Sequence, residues 1–263
     1  MPSKPEYPEY GSFSAMTSLT ENLARIEDQI AAACRQAGRP RSEVELMAVS
    51  KTYPAETIRE AASLGLTLFG ENRVQEFASK FTAASPKPRG TQFHLIGHLQ
   101  SNKSTRAVEL FDAIDSVDSL RLAERLNEAA GKLGKRLPIL LEVKLSSEET
   151  KEGLDPNSRD AGELLERLPH LIHLDTQGLM TIAPWGAPDE ITRACFRSLR
   201  DWRDRWVADY PRLNFSVLSM GMSGDFPLAI AEGATRIRVG TALFGKRPPT
   251  AAQLAAWPEE SAS

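Results

Sequence analysis

The chain has 263 residues, of which 41% are hydrophobic and 25% are charged, and its formal net charge is −3 at pH 7. Lysine and arginine are spread along it without a dense basic block, which argues against an electrostatic nucleic-acid footprint. Its two cysteines lie outside any C-x-x-C pair and no apolar run approaches the ~18 residues of a membrane span, so we expect a cytoplasmic protein.

The chain opens with a leader and an amphipathic helix. Residues 1–16 combine proline, serine and tyrosine without an apolar stretch, and this composition predicts a disordered leader rather than a signal peptide. Through residues 17–36 apolar side chains recur at helical spacing, with Ser18 or Thr20 as the N-cap. We therefore expect an additional helix before the first strand.

Strand and helix patterns then alternate along the chain. One predicted helix, residues 118–134, begins at Asp118, which predicts that residue as its N-cap. Near-continuous apolar strands that alternate with helices are typical of a parallel sheet buried on both faces. The predicted strands are VELMAVS (44–50), LTLFGE (66–71), QFHLIG (92–97), FDAIDSV (111–117), LPILLEVKL (137–145), LDTQGLMTI (174–182), LNFSVLSM (213–220) and ATRIRVG (234–240).

The number of these units predicts that the sheet closes. An open doubly wound sheet is expected to carry a G-x-G-x-x-G turn after its first strand, and the sequence has none. We therefore predict an α/β fold with a single (β/α)8 barrel of the TIM type. The barrel and its additional helix are expected to occupy residues 17–247, followed by a C-terminal tail over residues 248–263.

Lys51 directly follows the first predicted strand, at the barrel end where functional groups gather. Most lysines are exposed, so one interpretation is a surface residue at the exit of the strand. The other is an amine directed into the barrel mouth, where partial burial makes it nucleophilic towards an aldehyde. The position of Lys51 alone leaves both interpretations open.

Two further strand ends are rich in polar groups and glycine. In LSMGMSGDF, residues 218–226, glycines permit close backbone approach and precede a short predicted helix. The segment is either an anion site at the start of that helix or a flexible turn capped by Asp225. An anion site is favoured only if other groups converge there. In RIRVGTALFGKR, residues 236–247, Arg236 and Arg238 share one face of the strand, pointing either into the barrel or outwards to the helices.

Closure of the barrel brings these strand ends together. Phosphate sites in such barrels are frequently formed by the loops after strands seven and eight, and strand eight lies beside strand one. Lys51, Ser223, Arg238 and Gly240 are then expected to face one mouth. An aldehyde-reactive amine, a phosphate-binding turn and an arginine together indicate a pocket for pyridoxal 5′-phosphate (PLP).

The motifs AVSKT, FGENRVQE, HLIGHLQSNK, LSMGMSGD and RIRVGTALFG, in this order, resemble the YggS/PROSC family of pyridoxal phosphate homeostasis proteins from about residue 17 to 247. The resemblance implies a barrel similar to the N-terminal domain of bacterial alanine racemase, with PLP held as an internal aldimine on Lys51. It implies that Ser223, Gly240 and Thr241 hold the phosphate and that Arg238 approaches the pyridine nitrogen. The cofactor-binding residues so implied are Lys51, Asn72, His94, Ser219, Ser223, Arg238, Gly240 and Thr241.

The resemblance also implies a role in PLP homeostasis, meaning storage, protection of the reactive aldehyde and delivery to PLP-dependent apo-enzymes. A cation beside the ring nitrogen disfavours its protonation, so we expect weak or absent transaminase chemistry and no catalytic residues. The alternative is a PLP-dependent amino-acid racemase, which needs a second base. Related racemases supply a tyrosine from a C-terminal β-domain, which we expect this chain to lack, and only Tyr53 is expected near the mouth.

A metal site is not expected from the two histidines of HLIGHLQSNK. His94 and His98 lie on either side of a strand end, and neither a carboxylate nor a thiolate lies at ligand spacing between them. Packing or pocket lining is the favoured role for His94, and Gly97 is expected beside it in the pocket wall.

Overall fold

The structure, a computed structural model, describes residues 18–82, 84–145 and 152–245. The predicted leader (1–16) and tail (248–263) lie outside the described residues, so the domain boundaries stay predictions. Within the described ranges, eight parallel strands form a closed barrel in chain order, and the first strand pairs with both the second and the eighth. The predicted (β/α)8 barrel is confirmed.

Each strand of the barrel lies within a segment predicted from the sequence. The strands are short, and each of the eight contains at least one buried apolar residue. Their bounds are β1 Glu45–Val49, β2 Leu68–Glu71, β3 Gln92–Leu95, β4 Ala113–Val117, β5 Leu137–Glu142, β6 Leu174–Met180, β7 Val217–Ser219 and β8 Arg236–Val239.

Helices surround the barrel, and most match a predicted segment. A short helix after the last strand, α9, was not expected. The bounds are α1 Leu19–Gln36, α2 Ala55–Ser63, α3 Val74–Lys80, α4 Ser104–Leu110, α5 Leu120–Lys132, α6 Arg159–Arg167, α7 Asp189–Asp209, α8 Phe226–Ala231 and α9 Thr241–Phe244.

The helix ends show where side-chain capping operates. Ser18 caps α1 in a reciprocal capping box with Glu21, as the sequence allowed. The predicted cap of α5 is wrong by one residue, because Ser119, not Asp118, takes the extended backbone conformation and accepts from the Leu122 amide. Asp118 is therefore available at the barrel mouth, where its carboxylate lies 3.4 Å from His98.

Two apolar clusters stabilise the barrel, one on each side of its wall. The larger cluster fills the space between the strands and the helices and includes Phe77, whose ring centroid lies 4.6 Å from that of Phe111 and 4.9 Å from that of Phe93. The smaller one lies inside the barrel and consists of Met47, Val49, Leu68 and Ile96. Since successive strand side chains alternate between faces, β1 contributes Leu46 and Ala48 to the larger cluster and Met47 and Val49 to the smaller one.

Polar side chains fill the rest of the barrel interior. Both arginines of β8 are buried and point inwards, while Ile237 and Val239 pack in the outer cluster. Arg236 Nε donates to Glu45 at 2.7 Å and its Nη1 donates to Asp115 at 3.2 Å. Burial alone would raise the pKa of Asp115, but the neighbouring His94 and Arg236 hold that pKa below its ordinary value. This paired network closes the barrel below Arg238.

None of the helices among the described residues is both long and apolar enough to cross a bilayer.

Candidate functional site

A cavity of about 790 Å³ opens at the carboxyl ends of the strands. Its volume lies within the roughly 300–1,000 Å³ typical of small-molecule sites. Its walls combine apolar side chains, among them Ile182, Pro184 and Trp185, with polar groups from several strand ends. Six of the eight predicted cofactor-binding residues line it: Lys51, Asn72, Ser223, Arg238, Gly240 and Thr241.

Lys51 lies in a tight turn directly after β1, half-buried, and contributes to the cavity wall. The next residue, Thr52, has a φ of 69°, a left-handed conformation that is unusual for a β-branched residue. Such strain costs of order 1–3 kcal/mol and persists only where the surroundings enforce it. Here the Thr52 amide donates to Glu76 Oε1 at 2.6 Å and the Tyr53 amide to the Ser50 carbonyl at 3.1 Å. The turn is therefore held in the conformation that presents Lys51 to the cavity.

A buried charge network supports this turn from below. Lys80 Nζ donates to Glu71 Oε1 at 2.9 Å and to the Ser50 carbonyl at 2.9 Å, and it lies 3.0 Å from Glu76. The Ser50 hydroxyl also donates to Glu71 at 2.6 Å. Burial raises the pKa of the Glu71 carboxyl, and the Lys80 ammonium group opposes that rise. This network was not predicted from the sequence, where the spacing of Glu76 and Lys80 at i, i+4 is its one visible sign.

Arg238 forms the floor of the cavity. It is buried, and its Nη1 donates to the Ser219 carbonyl at 2.7 Å and to Ser219 Oγ at 2.9 Å, while its Nη2 donates to the Thr181 carbonyl at 2.7 Å. Burial lowers the pKa of the guanidinium, an effect opposed by Asp115 and Glu142. Arginine keeps its charge in proteins, so the cavity has a fixed cation at its base.

The turns after β7 and β8 meet beside Ser223. The amides of Gly240 and Ala242 both point at Ser223 Oγ, at 3.3 and 3.5 Å. Gly221 has a φ of 91°, and a Cβ there would lie 2.5 Å from the Ala229 Cβ, so glycine is required for this close approach. Backbone amides that converge on one point of a cavity wall suit an anionic group.

Ser219 and His94 occupy different places from the other predicted residues. Ser219 is fully buried and accepts from Arg238, so it orients the arginine without lining the cavity. His94 lies deeper in the barrel, with its Nδ1 3.0 Å from Asp115. Gly97 lines a neighbouring smaller cavity, and a Cβ there would lie 2.4 Å from the Asn72 carbonyl oxygen.

Carboxylates gather at the mouth in a way that the sequence did not indicate. His98 Nδ1 lies 3.4 Å from Asp118 and 3.6 Å from Glu152, and one ligand atom from each residue falls within 4.8 Å of the others. These carboxylates follow β4 and β5, so no spacing around the histidines could reveal them. His94 takes no part in this group.

Fold and site together define a class: a (β/α)8 barrel with a lysine after β1, an arginine within β8, and a serine after β7 that two backbone amides after β8 face. The sequence profile described as "Alanine racemase, N-terminal domain" matches residues 22–248. The pyridoxal phosphate homeostasis protein of Aquifex aeolicus (strain VF5) is 41% identical over 227 residues, which cover 86% of this chain and 97% of the relative.

Solved structures agree with this assignment. PipY of Synechococcus elongatus PCC7942, solved with PLP bound, is 45% identical with a TM-score of 0.77, and the match covers 87% of this chain and 100% of PipY. The chain belongs to the alanine racemase N-terminal-domain family and, within it, to the pyridoxal phosphate homeostasis proteins. An alanine racemase of Clostridium difficile 630, 18% identical with a TM-score of 0.67 over 88% of this chain and 57% of the racemase, shares the fold alone.

Proposed function

We propose that the chain binds PLP covalently through Lys51 and serves in cytoplasmic PLP homeostasis, storing the cofactor, shielding its aldehyde and delivering it to apo-enzymes. The observation that carries this proposal is the convergence of Lys51, Ser223 and Arg238 on one cavity. The name of the Aquifex relative and the PLP-bound structure of PipY support it. When bound, PLP supplies an aldehyde that condenses with a primary amine.

The residues of the cavity fit the chemical groups of PLP. The Lys51 amine suits the aldehyde, because its turn is enforced by Glu76 and holds the side chain at the cavity wall. The amides of Gly240 and Ala242, with the Ser223 hydroxyl, suit the phosphate. Thr241 and Asn72 line the same cavity and complete the proposed set of contacts.

Arg238 argues against a catalytic use of the cofactor. A fixed guanidinium next to the pyridine nitrogen disfavours protonation of that nitrogen, and an unprotonated ring is a poorer electron sink. Because the arginine donates to three oxygen atoms of Ser219 and Thr181, its charge is held in place.

The racemase alternative has less support. A racemase needs a second base on the opposite face of its substrate. Tyr53 lines the cavity, but its hydroxyl donates to the Gly245 carbonyl at 2.7 Å. A fold shared with a racemase at 18% identity is no evidence that this chain has racemase activity.

Covalent binding is tested by incubating the purified protein with excess PLP, recording the visible spectrum, reducing with borohydride and mapping the peptides by mass. We expect a visible band that borohydride removes, and a pyridoxyl group on Lys51. Lys51→Ala should lack both, whereas the control Lys132→Ala, which removes an exposed lysine of α5, should keep them. An adduct on a different lysine in the wild type would refute the assignment.

Delivery is tested with a PLP-dependent apo-enzyme in the presence of a scavenger that destroys free PLP. The loaded protein should restore enzyme activity while an equal amount of free PLP does not. If the scavenger prevents reactivation of the apo-enzyme equally by the loaded protein and by free PLP, the proposal is restricted to storage.

A further inference from the structure

A second, smaller cavity adjoins the Lys51 cavity. It measures about 290 Å³ and shares Asn72, Ile96 and Ile182 with the larger one. Its inner wall is formed by the end of β5, where Glu142 reaches the cavity. The two spaces are therefore neighbouring compartments of one barrel mouth, and a group seated in the smaller one lies next to the proposed cofactor site.

Among the described residues, none donates a hydrogen bond to the buried carboxyl of Glu142. The residue is 7% exposed. Its backbone is satisfied, since the Leu154 amide donates to the Glu142 carbonyl at 2.8 Å. A buried carboxylate that lacks a partner is costly, and a cation in the cavity removes that cost.

Charged groups of both signs surround the Glu142 carboxyl, and Lys144 and His98 line the same cavity. Glu152 lines the same cavity, and Asp118 stands beside His98 at its edge. Burial raises the pKa of Glu142 to about 7, with Asp118 and Glu152 adding to the rise and Arg238 and His98 opposing it. Arg238 is already held by three oxygen acceptors, so its charge acts on Glu142 only from a distance.

The shape and the apolar walls of the cavity decide which cation fits. The volume equals roughly ten waters at about 30 Å³ each, which is far more than a bare ion fills. Val143 and Leu145 join Ile96 and Ile182 in the lining, so methylene groups find apolar contacts next to the carboxylates.

We propose that the smaller cavity is a binding subsite for an alkylammonium group, with Glu142 as its principal counter-ion and the end of a lysine side chain as the ligand of matching size. The proposal rests on the proposed function, because an amine seated there lies beside the proposed cofactor site. The acceptor nitrogen would form the new C=N bond to the PLP aldehyde carbon while the bond from that carbon to the Lys51 nitrogen breaks, and the two protons lost by the acceptor amine would leave Lys51 as a free amine. The carboxylates repel the α-carboxylate of a free amino acid, so the subsite selects a lysine side chain of a protein or a simple amine.

Glu142 also has a chemical role towards this ligand. An ammonium ion has no lone pair, so it must lose a proton before it can act as a nucleophile. Transfer of that proton from nitrogen to a Glu142 carboxylate oxygen leaves a neutral amine and a neutral carboxyl, with charge and atoms balanced. A carboxyl whose pKa lies near 7 accepts this proton more readily than an ordinary glutamate does.

A metal ion is the competing occupant, since His98, Asp118 and Glu152 form a group of three ligating side chains. Two of its members are largely exposed, with 42% of the His98 and 60% of the Glu152 side chain accessible. Glu142, whose buried carboxyl accepts no hydrogen bond from the described residues, is not one of them. The alkylammonium ion accounts for Glu142, and the metal ion does not.

The test uses cofactor-free protein, so that it is independent of PLP. n-Butylamine and Nα-acetyl-lysine methylamide are titrated by NMR at pH 8, with n-butanol and butyrate as neutral and anionic controls. We expect saturable binding of the two amines and no binding of n-butanol or butyrate. Glu142→Gln should weaken it about 10- to 100-fold, as for loss of a charged hydrogen bond. Glu128→Gln, which removes an exposed carboxylate of α5, should leave it unchanged.

The outcomes separate this proposal from the proposed function. Absence of amine binding, or equal binding by wild type and Glu142→Gln, refutes the subsite even if PLP still attaches to Lys51. Binding of Mn²⁺ that Asp118→Asn abolishes and Glu142→Gln does not, without amine binding, replaces it with a metal site. Amine binding in a protein that fails to attach PLP at Lys51 keeps the subsite and refutes the acceptor role.

Discussion

The charge network below Lys51 permits a quantitative prediction for Lys80→Met. Methionine keeps most of the volume of the lysine stem but removes the ammonium group, which lies 2.9 Å from Glu71. The side chain of Glu71 is 0% exposed and that of Lys80 is 8% exposed, so the substitution leaves a buried carboxylate without its cation. It also removes the donor to the Ser50 carbonyl, next to Lys51.

Loss of one partner of a buried ion pair costs about 3–5 kcal/mol. This is a large part of the 5–15 kcal/mol that separates folded from unfolded domains. The loss should depend on pH. Burial already raises the pKa of Glu71, and without Lys80 that pKa rises further. A group whose pKa is raised by folding contributes stability below its unfolded pKa and loses it as pH rises through the folded pKa. The deficit of Lys80→Met should therefore shrink towards pH 5 and grow towards pH 8.

The assay is urea denaturation of cofactor-free protein at both pH values, followed by circular dichroism. Lys132→Met is the matched control, because Lys132 forms an exposed pair with Glu128 and its loss should change stability by less than about 0.5 kcal/mol. Glu71→Gln combined with Lys80→Met should recover part of the loss. A deficit for Lys80→Met below about 1 kcal/mol, or one that does not vary with pH, would refute the reasoning.

Three further substitutions test other parts of the structure. A Cβ at position 178 would lie 1.9 Å from the Val217 carbonyl oxygen, so Gly178→Ala should cost at least about 3 kcal/mol in urea denaturation. The control Gly162→Ala has open space around it in α6 and should be neutral or stabilising. Equal stability of the two variants would contradict the close approach. Ser223→Ala should weaken PLP about tenfold in absorbance titrations, for loss of a hydroxyl beside two amides, and an unchanged affinity would remove Ser223 from the phosphate site. Arg238→Glu should lower the melting temperature, because three oxygens lose their donor. The same variant should permit slow amine transfer from added alanine, because the fixed positive charge is removed. A folded, PLP-loaded variant without such transfer would contradict the role given to the arginine.

The strands and their order could be predicted because buried parallel strands appear in the sequence as apolar runs between helices. Alternation also indicated that Arg236 and Arg238 share a face. Periodicity does not report how deep along the barrel axis a side chain lies, since depth depends on the stagger of the strands. His94 and Ser219 were therefore assigned to the site, although His94 pairs with Asp115 in the interior and Ser219 holds Arg238 from below.

The groups that the sequence did not reveal are formed between separate strand ends. Glu142 is the last residue of β5, Asp118 follows β4 and His98 lies beyond β3, so their proximity depends on closure of the barrel rather than on spacing in the chain. The incorrect cap of α5 has the same origin. Asp118 and Ser119 are both good N-cap residues, and the exit direction of β4 decides between them.

The polar network inside the barrel also bears on how the chain folds. β1 and β8 are the paired strands most distant in sequence, so bringing them together carries the largest loop-closure entropy in the sheet. Glu45 and Arg236 join across this seam, and Arg236 continues to Asp115 and His94 on the opposite wall. These charged contacts can all be present only when the first and last strands have paired and the barrel is closed. The imidazole resonances of His94 are thus a native probe for the last step of barrel assembly.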